Sequence, residues 1–110
     1  MTVFGEAMMG SGSWVFGNVE IDENMHLVRR DGVEVPLTPK EYDLLVALAR
    51  RRGAAASKKS LMFEVWNTTA ETGSRTLDQH MFELRRKLEA SRVPRHLITV
   101  RKFGYRLKPE

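Results

Sequence analysis

The order in which hydrophobic periodicity changes along the 110 residues predicts an α+β domain: an amino-terminal antiparallel sheet, three helices and a carboxyl-terminal β-hairpin. Three observations carry this prediction. Apolar residues stand at strand spacing around an Asp-Gly turn before residue 37. Three stretches then switch to helical spacing behind recognisable start signals. After residue 96 the chain returns to β-rich runs joined by a basic tip.

At the amino end, Trp14, Phe16, Val19 and Ile21 are spaced by two or three residues, and Asp31-Gly32 separates His26–Arg30 from Val33–Val35. Asp-Gly tolerates positive φ at both central turn positions, which is a hairpin signal. Residues 1–13, with Met8-Met9-Gly10-Ser11-Gly12-Ser13, bury little surface and are expected to be a flexible linker or a cloning remnant, with order beginning near Trp14. The domain proper is expected over 14–107, with 108–110 as a tail.

At Thr38-Pro39-Lys40-Glu41 the period becomes helical: Thr38 and Glu41 form a capping box and Pro39 takes the first helical position. Tyr42, Leu45, Leu48 and Ala49 give the stripe, Arg50, Arg51 and Arg52 complement the dipole, and Gly53 is the expected left-handed terminator. Ser57 caps a second helix carrying Leu61, Met62, Val65 and Trp66. Its first turn holds Lys58 and Lys59, which oppose the helix dipole and face either a phosphate or solvent. Asn67–Gly73 is polar and reads as a loop. Ser74 caps a long third helix to about Ala90 with Leu77, Met81, Leu84 and Leu88 inward, while Arg75, Gln79, Phe82 and Arg86 point nearly opposite. An ordinary solvated face seldom carries a residue such as Phe82, which needs a partner. Leu97–Val100 and Tyr105–Leu107, joined by Arg101-Lys102-Phe103-Gly104, complete a hairpin with a cationic tip. Sheet, three helices and hairpin is the plan of a winged helix-turn-helix.

Composition narrows the function. The chain is 42% apolar and 29% charged, enough for one modest core and too short for a second domain. It has no cysteine, which excludes thiolate zinc sites and thiol nucleophiles and fits a reducing compartment. His26, His80 and His96 lack metal-ligand spacing, so no metal and no cofactor is expected. No apolar run reaches the roughly 18 residues of a membrane span, so a soluble cytoplasmic protein is the expectation. Residues 1–36 carry two basic side chains against six acids, net −4, whereas 37–110 carry sixteen against eight, net +8. This asymmetry points to a polyanion.

The stretches Leu37–Leu45, Val65-Trp66, Ser74–Met81, Leu84–Leu88 and Thr99–Leu107 together resemble the OmpR/PhoB-type DNA-binding effector domain of bacterial response regulators, in register over about residues 14–107. The resemblance implies transcription control, with the third helix in the major groove of double-stranded DNA, the hairpin wing in the minor groove, and the loop of Asn67, Thr68, Thr69, Glu71 and Thr72 touching RNA polymerase. It also implies phosphate contacts from Trp66, Arg75, Thr76, His80, Arg85, Thr99 and Tyr105, which set affinity rather than sequence preference. Core packing with a polar tip is the ordinary role of Trp66 and Tyr105, and both roles are expected at once. Arg101, with Lys102 beside it, suits the negative potential of a narrow minor groove.

Base reading falls to Gln79 on adenine, Phe82 on a thymine methyl and Glu83 on cytosine N4. Glu83 departs from the family, where a basic or amide residue is frequent. It either reads a base or balances Arg86 or Lys87 one turn on. Lys102 also departs, standing where a wing glycine is common, so the turn is expected to differ in shape. Family members carry a receiver domain, so this chain is either an effector domain separated from its receiver or a receiver-free regulator. A monomer that pairs on tandem half-sites is the family-derived expectation.

Catalysis is not expected, because no nucleophile, base or phosphate-cradling glycine loop is grouped in the sequence. The alternative is a winged-helix protein-interaction module that contacts RNA polymerase or another regulator without reading DNA. Such a module would not need Arg75, Lys87, Arg101, Lys102 and Arg106 together.

Overall fold

A computed structural model describes residues 13–68, 74–89 and 95–108. Four short antiparallel strands, β1 (Ser13–Phe16), β2 (Val19–Asp22), β3 (Leu27–Arg30) and β4 (Val33–Glu34), form a sheet in sequential order. Ser13, expected in the linker, is the first residue of β1 because it pairs with Asp22. Asp31 and Gly32 have φ of 55° and 80°, the two positive values that the Asp-Gly signal predicts. The three-residue step from Phe16 to Val19 conceals a second tight turn at Gly17-Asn18, across which Phe16 pairs with Val19.

Helix α1 (Pro39–Ala49) begins as its capping box dictates: the Glu41 N–H donates to Thr38 Oγ1 at 3.2 Å and the Thr38 N–H to Glu41 Oε1 at 3.0 Å. Its apolar surface is wider than the expected stripe. Leu44 through Ala49 are all buried, because the helix runs through the single core that strands and helices share. It also stops earlier than Gly53, at Arg50. Arg52 and Gly53 form the left-handed turn beyond it, with φ of 53° and 97°. The cationic stop signal is nonetheless used, since Arg51 donates to the Ala47 carbonyl at 2.8 Å.

A two-residue strand, β5 (Ala56–Ser57), leads into α2 (Lys58–Trp66), which Ser57 caps by accepting from the Ser60 N–H. Helix α3 (Ser74–Leu88) follows, two residues shorter at its end than expected, with Ala90 outside the described residues. Ser74 is its first residue, and the side chain expected to cap the helix lies outside what is described. Leu77, Met81, Leu84 and Leu88 are buried, as the 3.6-residue period requires. The hairpin of β6 (Leu97–Val100) and β7 (Gly104–Leu107) is completed by β5, giving a sheet of order β5-β7-β6. β5 was not legible beforehand: two residues carry no period, and only β7 makes them a strand.

One buried ion pair locks these layers. Glu41 is 4% exposed and its Oε1 accepts from Lys87 Nζ of α3 at 2.6 Å, while Arg30 of β3 donates to the Lys87 carbonyl. Burial pushes the Glu41 carboxyl upwards, but the Lys87 hydrogen bond and charge and the Thr38 N–H outweigh it, leaving the group below its ordinary value. Residues 1–12, expected as a linker, and 109–110, expected as a tail, lie outside the described residues.

Candidate nucleic-acid interface

Helix α3 presents Arg75, Gln79, Phe82 and Arg86 outward at i, i+4, i+7 and i+11, and all four are exposed. Phe82 is 58% exposed, a large apolar side chain with no cover among the described residues. Arg75 and Gln79 make no side-chain hydrogen bond or ion pair with other described residues, so their donors are available to a ligand. Glu83 does not stand free. Its Oε1 accepts from Arg86 Nε at 3.0 Å and Nη2 at 2.7 Å, the charge-balance arrangement.

The wing turn spans Val100 to Phe103, closed by the Phe103 N–H on the Val100 carbonyl at 2.9 Å. Lys102 has φ of +60°, in the left-handed region that favours glycine. The lysine thus adds a charge at a position where its backbone is strained. Lys102→Gly is expected to raise stability by about 0.5 kcal/mol, the relieved strain less the freedom glycine gains when unfolded. Urea unfolding checks this, and a loss of stability would contradict it. Arg101 and Lys102 are exposed and have no intramolecular partner among the described residues.

The positions that the resemblance assigned to phosphates divide into three groups. Arg75 and Thr76 are exposed, and their side chains have no hydrogen-bond or ion-pair partner among the described residues. Trp66 is half-buried against the core, its ring meeting His80 edge-on at 4.9 Å, and its indole N–H has no acceptor among the described residues. Packing and donation therefore coexist in Trp66. Arg85 and Thr99 are engaged with each other: Arg85 Nη2 donates to Thr99 Oγ1 at 2.7 Å and Nε to the Leu97 carbonyl at 2.9 Å. Because Thr99 accepts there, its own hydroxyl proton is left for a ligand.

Two further positions have ring or hydroxyl groups engaged within the domain. The Tyr105 hydroxyl, on a residue 5% exposed, donates to Asp78 Oδ1 at 2.5 Å and so has no proton left for a phosphate. Burial, then the hydrogen bond to Asp78 and that carboxylate's charge, push its phenol above the ordinary range. His80 Nδ1 lies 2.8 Å from the Thr76 carbonyl, which can only accept. The neutral ring then offers Nε2 as an acceptor, and donation to a phosphate requires the imidazolium.

Three cations grouped with the interface are spent inside the domain. Lys87 pairs with Glu41, Arg106 donates to the Gly53 carbonyl at 2.9 Å, and Lys58 pairs with Asp78 at 3.2 Å rather than standing ready for a phosphate. Lys59 is exposed. Of the loop before α3, Asn67 closes α2 in a left-handed conformation and Thr68 follows it, while Thr69, Glu71 and Thr72 lie outside the described residues. No group of metal-ligating side chains occurs among the described residues, and no described helix is long and apolar enough to cross a membrane.

The order of elements that carries this surface is shared with known proteins. Residues 32–107 match the family described as transcriptional regulatory protein, C terminal. The chain belongs to this family. Among its relatives, the DNA-binding response regulator MtrA of Mycolicibacterium smegmatis is 39% identical over 94 residues, covering 84% of this chain and 41% of MtrA. The chain thus spans about two-fifths of the length of such curated relatives. The RstA DNA-binding domain of Klebsiella pneumoniae, solved in complex with the RstA box, superposes with a TM-score of 0.81 at 28% identity, covering 89% of this chain and 98% of that one. DrrB, an OmpR/PhoB homologue from Thermotoga maritima, superposes at 0.80 with 26% identity, covering 88% of this chain and 44% of that one. The winged-helix architecture expected from the sequence is therefore the one observed.

Proposed function

We propose that this domain binds double-stranded DNA sequence-specifically and regulates transcription, with α3 in the major groove and the wing turn in the minor groove. The observation that carries the reading is the set of exposed donors at Arg75, Gln79, Arg101 and Lys102, unused among the described residues, in a fold whose relative RstA was solved on DNA. Arg75, Thr76, Thr99 and the Trp66 indole dock phosphates and set register, Gln79 and Phe82 meet base edges, and Arg101 and Lys102 enter the minor groove. Arg85 supports Thr99 from behind. Selection of bound sequences from random duplexes tests the reading: enrichment of one site supports it, and failure to enrich any leaves a protein-interaction module.

Glu83 balances Arg86 rather than reading cytosine. Removing it takes a negative charge from beside the phosphates, so Glu83→Ala is expected to tighten binding to all duplexes alike, by about threefold. Titrations on the selected site and its single-base variants check this, and a loss confined to one base pair would restore the base-reading role.

The loop of Asn67, Thr68, Thr69, Glu71 and Thr72 serves RNA polymerase. Glu71→Ala or Thr72→Ala is expected to lower transcription several-fold with DNA affinity unchanged, and a parallel fall in affinity would make the loop structural. A receiver domain on the same or another chain completes the regulator, and this domain alone is a monomer that pairs on tandem half-sites.

A further inference from the structure

Asp78 sits on α3 one residue before Gln79, yet its carboxylate is turned away from the outward stripe into a junction of three elements. Oδ1 accepts from the Tyr105 hydroxyl of β7 at 2.5 Å, and Oδ2 accepts from Lys58 Nζ, at the first residue of α2, at 3.2 Å. Lys58 returns to the wing twice. Its backbone N–H donates to the Phe103 carbonyl at 3.1 Å, and its ammonium stands 5.9 Å from the centre of the Tyr105 ring. The contacts therefore close a ring: α3 through Asp78 to α2, α2 through Phe103 to the wing, and the wing through Tyr105 back to Asp78.

A second tie joins α3 to the wing two turns later. Arg85 donates to the Leu97 carbonyl and Thr99, and its guanidinium lies 5.5 Å from the Tyr105 ring centre. Asp78 and Arg85 are seven residues apart, about 10 Å along the helix axis. Two ties at that separation fix both the place and the rotation of the wing relative to α3. With the Asp78 tie lost, the wing keeps Arg85 and its pairing with β5 but is no longer held against the first half of α3, so its angle to the helix loosens. Tyr105 is held from both sides, ring by Arg85 and hydroxyl by Asp78.

We propose that Asp78 is a positioning residue that makes the wing and the recognition helix one rigid reading unit, acting through Tyr105 and Lys58 rather than by touching DNA. The inference rests on the DNA-binding reading above and predicts energetic coupling between the two grooves. A wing held rigidly pays no ordering cost when its tip enters the minor groove, whereas a loosened wing pays that cost and contributes little. The cost of losing a wing contact therefore depends on whether Asp78 is present.

The test uses the 110-residue chain and its selected duplex. Arg101→Ala is expected to weaken binding about tenfold in the parent chain and less than about twofold in an Asp78→Ala background. Asp78→Asn keeps an oxygen acceptor for the Tyr105 hydroxyl and is expected to restore most of the Arg101 effect. Tyr105→Phe, which removes only the hydroxyl, is expected to behave as Asp78→Ala and serves if that variant folds poorly. Arg75→Ala, on the helix itself, is expected to cost the same factor with and without Asp78.

An equal Arg101→Ala penalty in both backgrounds overturns the inference while leaving the DNA-binding reading intact. If Arg101→Ala has no effect even in the parent chain, the wing reading fails instead. Hydrogen exchange of the DNA-free chain then decides on Asp78: the Phe103 amide should exchange at least about tenfold faster in Asp78→Ala and Tyr105→Phe, with the inner amides of α3 unchanged. Unchanged Phe103 exchange overturns the positioning role.

Discussion

Gly104→Ala is expected to destabilise the domain by about 3 kcal/mol or more, a large loss for a single methyl group on a chain of this length. A Cβ at Gly104 would lie 1.9 Å from the Ala56 carbonyl oxygen and 2.9 Å from the Ser57 Cα, both backbone atoms that no rotamer change can move aside. The glycine is required because β5 crosses β7 there, with Ser57 paired to Gly104 and Ala56 to Tyr105. A bulkier residue forces β5 off the sheet, which frees the start of α2 and releases the wing from its support. Urea unfolding should show the loss, and duplex binding should weaken even where the variant remains folded. A loss below about 1 kcal/mol would mean that β5 is not held where the structure puts it.

Lys87→Met is expected to cost about 3 kcal/mol at neutral pH, because it leaves the Glu41 carboxylate buried and unneutralised. The pH dependence distinguishes this from lost packing. In the parent chain the Glu41 pKa is lowered, so its contribution is present above the unfolded carboxylate range and fades as pH falls through the folded value, below 4.5. Without Lys87, burial dominates and raises the Glu41 pKa, so the variant gains relative stability on acidification as the carboxyl takes up its proton. The difference between parent and variant should therefore shrink from pH 7 to pH 4. A constant difference would assign the effect to the lysine's methylenes alone.

Local features were legible in advance. The Thr38–Glu41 box, the Asp31-Gly32 turn and the Leu77, Met81, Leu84, Leu88 stripe each depend on residues within a few positions of one another, where spacing alone specifies geometry. What remained hidden involves distant partners. Glu41 reads as a capping residue, and nothing nearby says that Lys87, 46 residues on, will neutralise it. Lys87 and Arg106 count as basic residues in any charge tally, yet both are consumed by acceptors inside the domain. The resemblance implies a phosphate for Tyr105, and nothing near it in the chain shows that Asp78, 27 residues earlier, takes its hydroxyl proton. Arg75, Gln79, Phe82 and Arg101 were placed correctly as exposed, because helical period and a hairpin tip suffice to turn them outward.

The claim that the domain reads duplex DNA through phosphate docking plus base contacts is tested most directly by titrating the chain against its selected site, and against an unrelated duplex, at graded salt. The account predicts a log–log salt slope of about −0.9 for each phosphate neutralised, hence steeply negative for both, with the selected site held at least about a thousandfold more tightly at physiological salt. A near-zero slope, or equal affinity for the two duplexes, would contradict it.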